Sequence, residues 1–184
     1  NHGLVIHRGM NRGDDDLLAF IDEKDGGGPP ARPLRTWTLL IVDDDEDVHE
    51  STRFALRGLE IEQRGLRLLH AHSGAECIET MRGEDDIAVV LLDVVMESST
   101  AGLLTVDRIR NELRRLNTRI ILRTGQPGQA PEIDTIRRYD INDYKTKSEL
   151  TRNKLYTALT TAIRSYAQIC ALEESRRGLE QIVA

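Results

Sequence analysis

The residues best suited to chemistry are five consecutive acids, Asp43 to Asp47, which directly follow the apolar segment 37–42. Carboxylates this close repel one another, since two unit charges ~4 Å apart near a protein surface interact by roughly 4 kcal/mol. This repulsion must be offset by a favourable interaction. Two explanations are open at this point: the acids bind a cation, or they cap a helix, whose N-terminus favours acidic residues.

A further acid, Asp93, stands in a setting that helix capping does not explain. It follows the apolar run "IAVVLL", and two valines come after it. A carboxylate at the end of so apolar a segment needs a partner, and the candidates are a divalent cation and Lys147. Asp45, Glu46 and Asp47, by contrast, fit the capping of a first helix well.

From Thr36 onward, short apolar runs alternate with segments of helical spacing. Runs of this length without alternation are typical of strands that are buried on both faces. The sequence therefore predicts five strands, at 37–42, 66–71, 87–94, 119–124 and 142–146.

Helices are predicted between and after these strands. Ser73 and Glu76 form a Ser-x-x-Glu capping box at the start of the second helix. A short helix is predicted at 132–139, and a long one begins at about Ser148. The apolar stripes of the first and third helices consist of Val48, Thr52, Ala55 and Leu59, and of Leu103, Val106, Ile109, Leu113 and Leu116.

Five strands that alternate with helices predict an α/β fold with a parallel sheet, because parallel neighbours need crossover connections. Right-handed crossovers place helices on both faces, which makes the sheet doubly wound. The carboxyl ends of all strands then meet at one edge, where ligands bind in such sheets. The polar residues gathered at this edge are Asp43, Asp44, Asp93, Thr124 and Lys147.

Composition limits the class of protein. The chain has 184 residues, of which 39% are hydrophobic and 30% charged, as expected for a globular protein. A net charge of −6 argues against nucleic acid or an anionic membrane as a partner. No apolar run approaches the ~20 residues that span a bilayer. Cys77 and Cys170 belong to no disulfide framework or metal motif. We therefore expect a cytoplasmic protein.

The N-terminal segment 1–35 is expected to be a flexible tail and linker, since it ends in the glycine- and proline-rich stretch "GGGPPARP". A helix that docks through the apolar patch at 17–21 is the alternative. Residues 1–9, ahead of Met10, are interpreted as added sequence.

The constellation of polar residues on successive strands resembles the receiver domain of two-component response regulators. The resemblance covers about residues 37–167 and implies a receiver domain at 36–166. It also implies a flavodoxin-like strand order, 2-1-3-4-5. The matching residues are Asp43, Asp44, Asp93, Thr124 and Lys147, together with Tyr144 at the usual position of an aromatic switch residue.

This resemblance implies a Mg²⁺ site. Asp44 is then the direct ligand, Asp43 binds directly or through water, and Asp93 and the backbone carbonyl of Val95 each supply an oxygen. Asp93 is the expected phosphoacceptor, which takes a phosphoryl group from a sensor histidine kinase or a phosphotransfer protein. Lys147 is expected to meet the negative charge of the phosphoryl oxygens on the side away from the metal.

The resemblance also implies a switch. The Thr124 hydroxyl is expected to bond a phosphoryl oxygen, which leaves room for Tyr144 to turn inward. Several positions depart from the family pattern. Ser148 stands where a proline usually follows the lysine, so the isomer of the Lys147–Ser148 peptide bond is open. Val95 and Gln126 flank the phosphoryl site, where the family controls access of hydrolytic water.

A narrower resemblance concerns the segments "LLDVVMES", "IILRTGQPGQAPE" and "YDINDYKTKSELT". They are similar to regulators in which the receiver precedes a middle domain of unknown function and an HD-GYP cyclic-di-GMP phosphodiesterase. On this interpretation the receiver itself is not an enzyme. Two alternatives remain open: a degenerate receiver used only for docking, and a haloacid-dehalogenase-like phosphatase, which also uses an aspartyl phosphate and Mg²⁺.

The last helix continues beyond Tyr166, where a receiver domain would end. Residues 167–184 are expected to be a helical linker to an output domain. Because their apolar stripe has no receiver core left to cover, a homodimer through this helix is predicted. A frayed linker is the alternative. The stripe continues with Leu172, Leu179, Ile182 and Val183.

Overall fold

The structure is a computed structural model that describes residues 35–125, 133–138, 140–146 and 151–183. The segment predicted as an N-terminal tail lies outside the described residues except for its last position. Six strands form one sheet in the described part. They are β1 (Trp37–Val42), β2 (Glu60–Ile61), β3 (Arg64–Ala71), β4 (Ile87–Asp93), β5 (Arg119–Thr124) and β6 (Asp143–Thr146).

The sheet has the strand order β2-β3-β1-β4-β5-β6. All neighbours from β3 to β6 are parallel, and only the short strand β2 pairs antiparallel to β3. The five parallel strands, counted by themselves, therefore follow the order 2-1-3-4-5. This confirms the predicted doubly wound fold, and it brings the carboxyl ends of β1, β4, β5 and β6 to one edge.

Helices connect these strands, and their N-termini follow from local sequence. Asp45 caps α1 by accepting a hydrogen bond from the backbone N–H of Asp47, at 3.0 Å. Ser73 caps α2 in the same way, at 3.2 Å from the N–H of Glu76. The helices are α1 (Glu46–Leu56), α2 (Gly74–Gly83), α3 (Ala101–Asp107), α4 (Ile133–Arg138) and α5 (Arg152–Val183).

Two apolar clusters lie on opposite faces of the sheet. One joins β1, β4 and β5 to α2 and α3, and includes Met81, Val90 and Ile109. The other joins the same strands to α1 and α5, and includes Leu39 and Leu159. Side chains of β1 alternate between the two clusters, which is why its six residues are all buried. The helices packed on both faces therefore hold the carboxyl edge of the sheet in place.

The hairpin of β2 and β3 was not predicted from sequence. Its two turn residues, Glu62 and Gln63, both have positive φ, at 51° and 60°. Such turns usually contain Asn-Gly or Gly, so a Glu-Gln turn carries no sequence signal. The hairpin is held by Trp37, whose Nε1 donates to the carbonyl of Ile61 at 2.9 Å.

The predicted stripes of the first and third helices were partly wrong. In α1 the buried positions are His49, Thr52 and Leu56. Compared with the predicted stripe, the buried face of the helix is rotated by about one residue. After α3 the chain forms a π-helical turn at Arg108–Glu112 and then leaves the helix, so that Leu116 is 58% exposed. A π turn shifts the helical register, which a regular 3.6-residue period cannot represent.

Helix α5 has 32 residues, which corresponds to a length of about 48 Å. Its first half packs on the sheet through Leu155, Leu159 and Ile163, whereas Leu172 and Leu179 are exposed. The helix passes the predicted boundary at 166 without interruption, and the role of its second half as a linker stays a prediction. Among the described residues, no helix combines the length and apolar character that a bilayer span requires.

Candidate metal centre

Three carboxylates meet at the carboxyl edge of the sheet. One ligand atom from each of Asp43, Asp44 and Asp93 lies within 4.8 Å of the other two. The register explains this proximity, because Val42 at the end of β1 pairs with Leu92 in β4. Asp43 and Asp93, which directly follow these two paired residues, therefore lie side by side at the carboxyl edge of the sheet. Sequence reasoning placed these three acids together, and the geometry agrees.

The three acids differ in burial, and this decides what they can do. Asp43 and Asp93 are 0% and 2% exposed, while Asp44 is exposed. The Asp43 carboxylate accepts a hydrogen bond from the backbone N–H of Asp45, at 3.1 Å. Oxygen donors of this kind, some buried and one open to water, suit a hard cation that keeps several water ligands. The residues present thus fit Mg²⁺.

The backbone around Asp93 is held in place by close packing against α3. Val94 donates to the carbonyl of Arg123 at 2.9 Å and accepts from the N–H of Gly102 at 3.0 Å. A Cβ at Gly102 would lie 2.2 Å from the carbonyl oxygen of Asp93 and 2.7 Å from the Cα of Val94. Only glycine lets the helix approach the end of β4 this closely.

We expect Gly102→Ala to displace the end of β4 and to weaken Mg²⁺ binding. The added methyl group meets backbone rather than a flexible side chain, so about 1–3 kcal/mol of stability should be lost. Denaturant unfolding followed by the fluorescence of Trp37, with a calorimetric Mg²⁺ titration, measures both effects. Gly178→Ala is the matched control, because a Cβ there meets nothing within 4 Å. Equal behaviour of the two variants would contradict the packing argument.

A buried cation, Arg123, stands beside the acids and was not foreseen from the sequence. It is 1% exposed, its Nη2 lies 3.4 Å from Oδ2 of Asp43, and its Nη1 donates to the Thr52 hydroxyl at 3.1 Å. Burial lowers the pKa of Arg123, while the negative charges of Asp43 and Asp93 oppose that shift. The guanidinium thus neutralises part of the acidic cluster from inside the protein.

The predicted switch residues also lie near this edge. Thr124 ends β5, is fully buried, and pairs in register with Thr146 of β6. Tyr144 pairs with Leu122 and packs against the cluster that contains α2 and α3. Its hydroxyl oxygen is buried and has no hydrogen-bond partner among the residues that the structure describes.

Other predicted site residues are less well defined. Val95 is partly buried in the connection between β4 and α3, two positions after Asp93. Lys147 and Ser148 follow directly after β6 and lie outside the described residues, as does Gln126. The structure therefore brings the three acids and Thr124 to the carboxyl edge of the sheet, while Tyr144 lies two positions before the end of β6. The place of Lys147 stays a prediction.

A family model for the response regulator receiver domain matches residues 39–160, which is more than half of the chain. The chain belongs to the response regulator receiver family. The haloacid-dehalogenase alternative is thereby set aside, since the fold and the match both indicate a receiver. A second model, for a domain of unknown function (DUF3369), matches residues 159–184. This second match agrees with the narrower resemblance, in which a domain of unknown function follows the receiver.

Similar proteins support this assignment. The chain is 46% identical over 147 residues to 3'3'-cGAMP-specific phosphodiesterase 2 of Vibrio cholerae serotype O1. The match covers 80% of this chain but only 28% of that relative. The match thus spans less than a third of the relative's length.

Two solved structures show the same fold. The signal receiver domain of an HD domain-containing protein from Pseudomonas fluorescens aligns with a TM-score of 0.62 and 20% identity, over 77% of this chain and 96% of that one. A response regulator receiver domain from Clostridium thermocellum aligns with a TM-score of 0.60 and 22% identity, over 72% and 98% of the two chains.

Proposed function

We propose that this receiver accepts a phosphoryl group on Asp93 with the help of Mg²⁺. The observation that supports the proposal is the convergence of three carboxylates within 4.8 Å, of which Asp93 is almost fully buried at the end of its strand. A buried carboxylate beside two others is costly unless a cation binds it. An acid used only for docking would not need this arrangement.

In the proposed reaction, a carboxylate oxygen of Asp93 attacks phosphorus and the bond from phosphorus to the donor's histidine nitrogen breaks. Asp43, Asp44 and the carbonyl of Val95 would hold Mg²⁺. When bound, the ion neutralises charge on the phosphoryl oxygens and orients them. Lys147 would contact the same oxygens from the other side. The donor would be a sensor histidine kinase or a phosphotransfer protein.

The proposed switch uses Thr124 and Tyr144. The Thr124 hydroxyl would donate a hydrogen bond to a phosphoryl oxygen, which moves the end of β5 toward Asp93. The burial of the Tyr144 hydroxyl supports this proposal, because an inward position of this side chain is already accessible. Phosphorylation would then shift the population toward that position by contacts present only in the modified state.

Direct modification tests the proposal. The native chain is incubated with acetyl phosphate, with and without Mg²⁺, and its intact mass is measured. We expect the mass of one phosphoryl group to be added only when Mg²⁺ is present, and beryllofluoride to shift the NMR signals of Thr124 and Tyr144. A chain that stays unmodified and does not respond to beryllofluoride would support the docking-only alternative.

We further propose that the receiver regulates an output domain through α5. The match of a second family model to 159–184 supports this, since it begins inside the helix that packs on the sheet. The relative from Vibrio cholerae is named as a phosphodiesterase of a cyclic dinucleotide. By this relationship the proposed output is phosphodiesterase activity on a cyclic dinucleotide, carried by residues other than those of the receiver.

The second half of α5 is also proposed to form a homodimer. Leu172 and Leu179, which are 71% and 62% exposed, lie seven residues apart and therefore on one stripe. We expect the native chain to sediment as a dimer and a Leu172→Gln, Leu179→Gln variant as a monomer. Leu104→Gln changes a leucine of α3 that is 61% exposed and should leave the mass unchanged. A native chain that sediments as a monomer at high concentration would remove this proposal.

A further inference from the structure

A groove of about 580 Å³ lies between the last two strands of the sheet and the first half of α5. Such a volume is typical of sites for small molecules. Strand residues that pair in register, such as Ile121 of β5 and Asp143 of β6, line it from the sheet. We call it the basic groove, after three cations and a carboxamide that line it together with Asp143: Arg119, Lys145, Lys154 and Asn142.

Arg119 is the buried cation of the basic groove. It lies two residues before Ile121 on β5, so both side chains are on the face of the sheet that α5 covers. The Arg119 side chain is 6% exposed, and its Nη2 donates to Oδ2 of Asp140 at 2.6 Å. Its Nε is buried and has no hydrogen-bond partner among the residues that the structure describes. Since buried donors are nearly always paired, this N–H is suited to an acceptor that enters the groove.

The carboxylate that Arg119 contacts is shared with a second buried guanidinium. Nη2 of Arg110, whose side chain is also 6% exposed, lies 4.0 Å from the same oxygen of Asp140. Burial and the positive charge of Arg119 lower the pKa of Arg110 to about 10, and Asp140 opposes this shift. The Asp140 side chain is 66% exposed, so water screens its charge. The two arginines therefore repel each other, and an additional negative charge at Arg119 would be favourable.

Two lysines add positive charge along the groove. Nζ of Lys145 lies 3.3 Å from Oδ1 of Asp143, and the same oxygen accepts a hydrogen bond from the N–H of Tyr144 at 2.8 Å. Asp143 is the one acid among the described residues of the lining, and these contacts already engage it. Lys154 is exposed on the first turn of α5. Three cations and one acid give the lining a net charge of +2, in a chain whose overall charge is −6.

Asn142 adds a neutral donor whose orientation is fixed by the backbone. Its backbone N–H donates to the carbonyl of Ile120 at 2.9 Å, and its Oδ1 accepts from the N–H of Ile120 at 2.7 Å. Because an N–H only donates, the accepting atom must be the amide oxygen, and Nδ2 keeps its two protons for other partners. The groove therefore offers positive charge and N–H donors together, which is the combination that binds an oxyanion.

We propose that the basic groove binds a small dianion of the phosphate monoester class. Arginine and lysine both form charge-assisted hydrogen bonds with phosphate oxygens. A phosphate monoester carries about −1.5 to −2 charges at pH 7, which matches the net charge of the lining better than a single carboxylate does. The site is separate from the acidic cluster, because Arg119 begins β5 whereas Thr124, at the acidic edge, ends it.

An NMR titration of the native chain tests the proposal. Glycerol phosphate is the probe for the ester, inorganic phosphate for the free ion and acetate for a carboxylate, all at one ionic strength. A chelator removes Mg²⁺, so that no metal ion draws phosphate to the acidic cluster. We expect glycerol phosphate to shift the Nε–H signal of Arg119 and to bind about tenfold more tightly than acetate, because its charge is nearly twice as large.

Lys154→Gln removes an exposed cation of the groove and should leave the fold intact. We expect it to bind glycerol phosphate about tenfold more weakly than the native chain, as for the loss of a hydrogen bond between charged groups. Arg176→Gln is the matched control, because it also removes one positive charge from α5, but from a side chain that is 72% exposed and lies beyond the groove. Its affinity should stay within about twofold of native, since water and salt screen a distant charge.

Arg119→Lys keeps the charge and removes the Nε donor, so it should also weaken binding about tenfold. If this variant fails to fold, the comparison of Lys154→Gln with Arg176→Gln decides by itself. The proposal is overturned if the Nε–H signal of Arg119 does not respond to glycerol phosphate, or if Lys154→Gln and Arg176→Gln bind it equally well. Binding of inorganic phosphate without glycerol phosphate, or of acetate as tightly as glycerol phosphate, would contradict the assignment to phosphate monoesters.

Discussion

Asp93→Asn is expected to abolish modification by acetyl phosphate while the protein stays folded. An amide cannot act as the nucleophile, because it lacks the negatively charged oxygen that attacks phosphorus. The change removes one of three clustered negative charges and keeps the shape of the side chain, so the apparent stability without Mg²⁺ should stay level or rise. Intact mass after incubation with acetyl phosphate and Mg²⁺ measures the loss directly.

A matched control for this variant is Asp85→Asn. The Asp85 side chain is 92% exposed and precedes β4, at the strand end opposite the acidic cluster. We expect it to be modified like the native chain. If Asp93→Asn still gains a phosphoryl group at the native rate, then another carboxylate is the acceptor and the proposed role of Asp93 is wrong.

The fold could be predicted from the sequence because β1, β4 and β5 are short, largely apolar runs that end in a polar residue or are directly followed by one. Strand ends at Val42 and Thr124 were placed correctly, and β4 ends within one residue of the predicted position. Helix caps at Asp45 and Ser73 depend on local contacts and were also predictable. The acidic cluster followed from topology, since any parallel sheet gathers its strand ends at one edge.

What sequence reasoning missed depends on contacts between residues distant in the chain. Arg123 lies in a strand read as apolar, and its partners Asp43 and Thr52 are 80 and 71 positions away. His49 is not part of the apolar stripe predicted for α1, yet it is fully buried, and its Nδ1 lies 2.9 Å from Nδ1 of His70. A buried polar side chain is specified by its partner, and a single sequence does not show the pairing.

The second large effect is expected from Arg123→Met. Removing one partner of a buried ion pair takes a counter-charge away from the other, which costs about 3–5 kcal/mol. Here the group that loses the guanidinium is the carboxylate of Asp43, which is fully buried. We therefore expect a strong loss of stability in the presence of a chelator, measured by denaturant unfolding with Trp37 as the fluorescent probe. Methionine keeps much of the volume and flexibility of the arginine side chain.

Mg²⁺ should reverse much of this loss, because an ion that binds only the folded state stabilises it in proportion to its affinity. Without the guanidinium the acidic cluster is more negative, so the affinity for Mg²⁺ should rise about tenfold or more. A tenfold rise corresponds to about 1.4 kcal/mol of binding free energy. Stability and ion affinity are thus expected to change in opposite directions in the same variant.

Arg119→Met provides the control that separates this effect from the loss of any buried arginine. Arg119 lies four residues earlier on the same strand and is also buried, but it pairs with the exposed Asp140 at 2.6 Å. The Arg119→Met change should lower the free energy of unfolding by the same amount with and without Mg²⁺. The Asp140 carboxylate that loses its partner is exposed and solvated by water, and the acidic cluster is unchanged. If Mg²⁺ rescues both variants to the same extent, or neither, then Arg123 is not the internal counter-charge of the metal centre. If only Arg123→Met is rescued, the resting receiver holds its acids together with a built-in cation that Mg²⁺ must compete with.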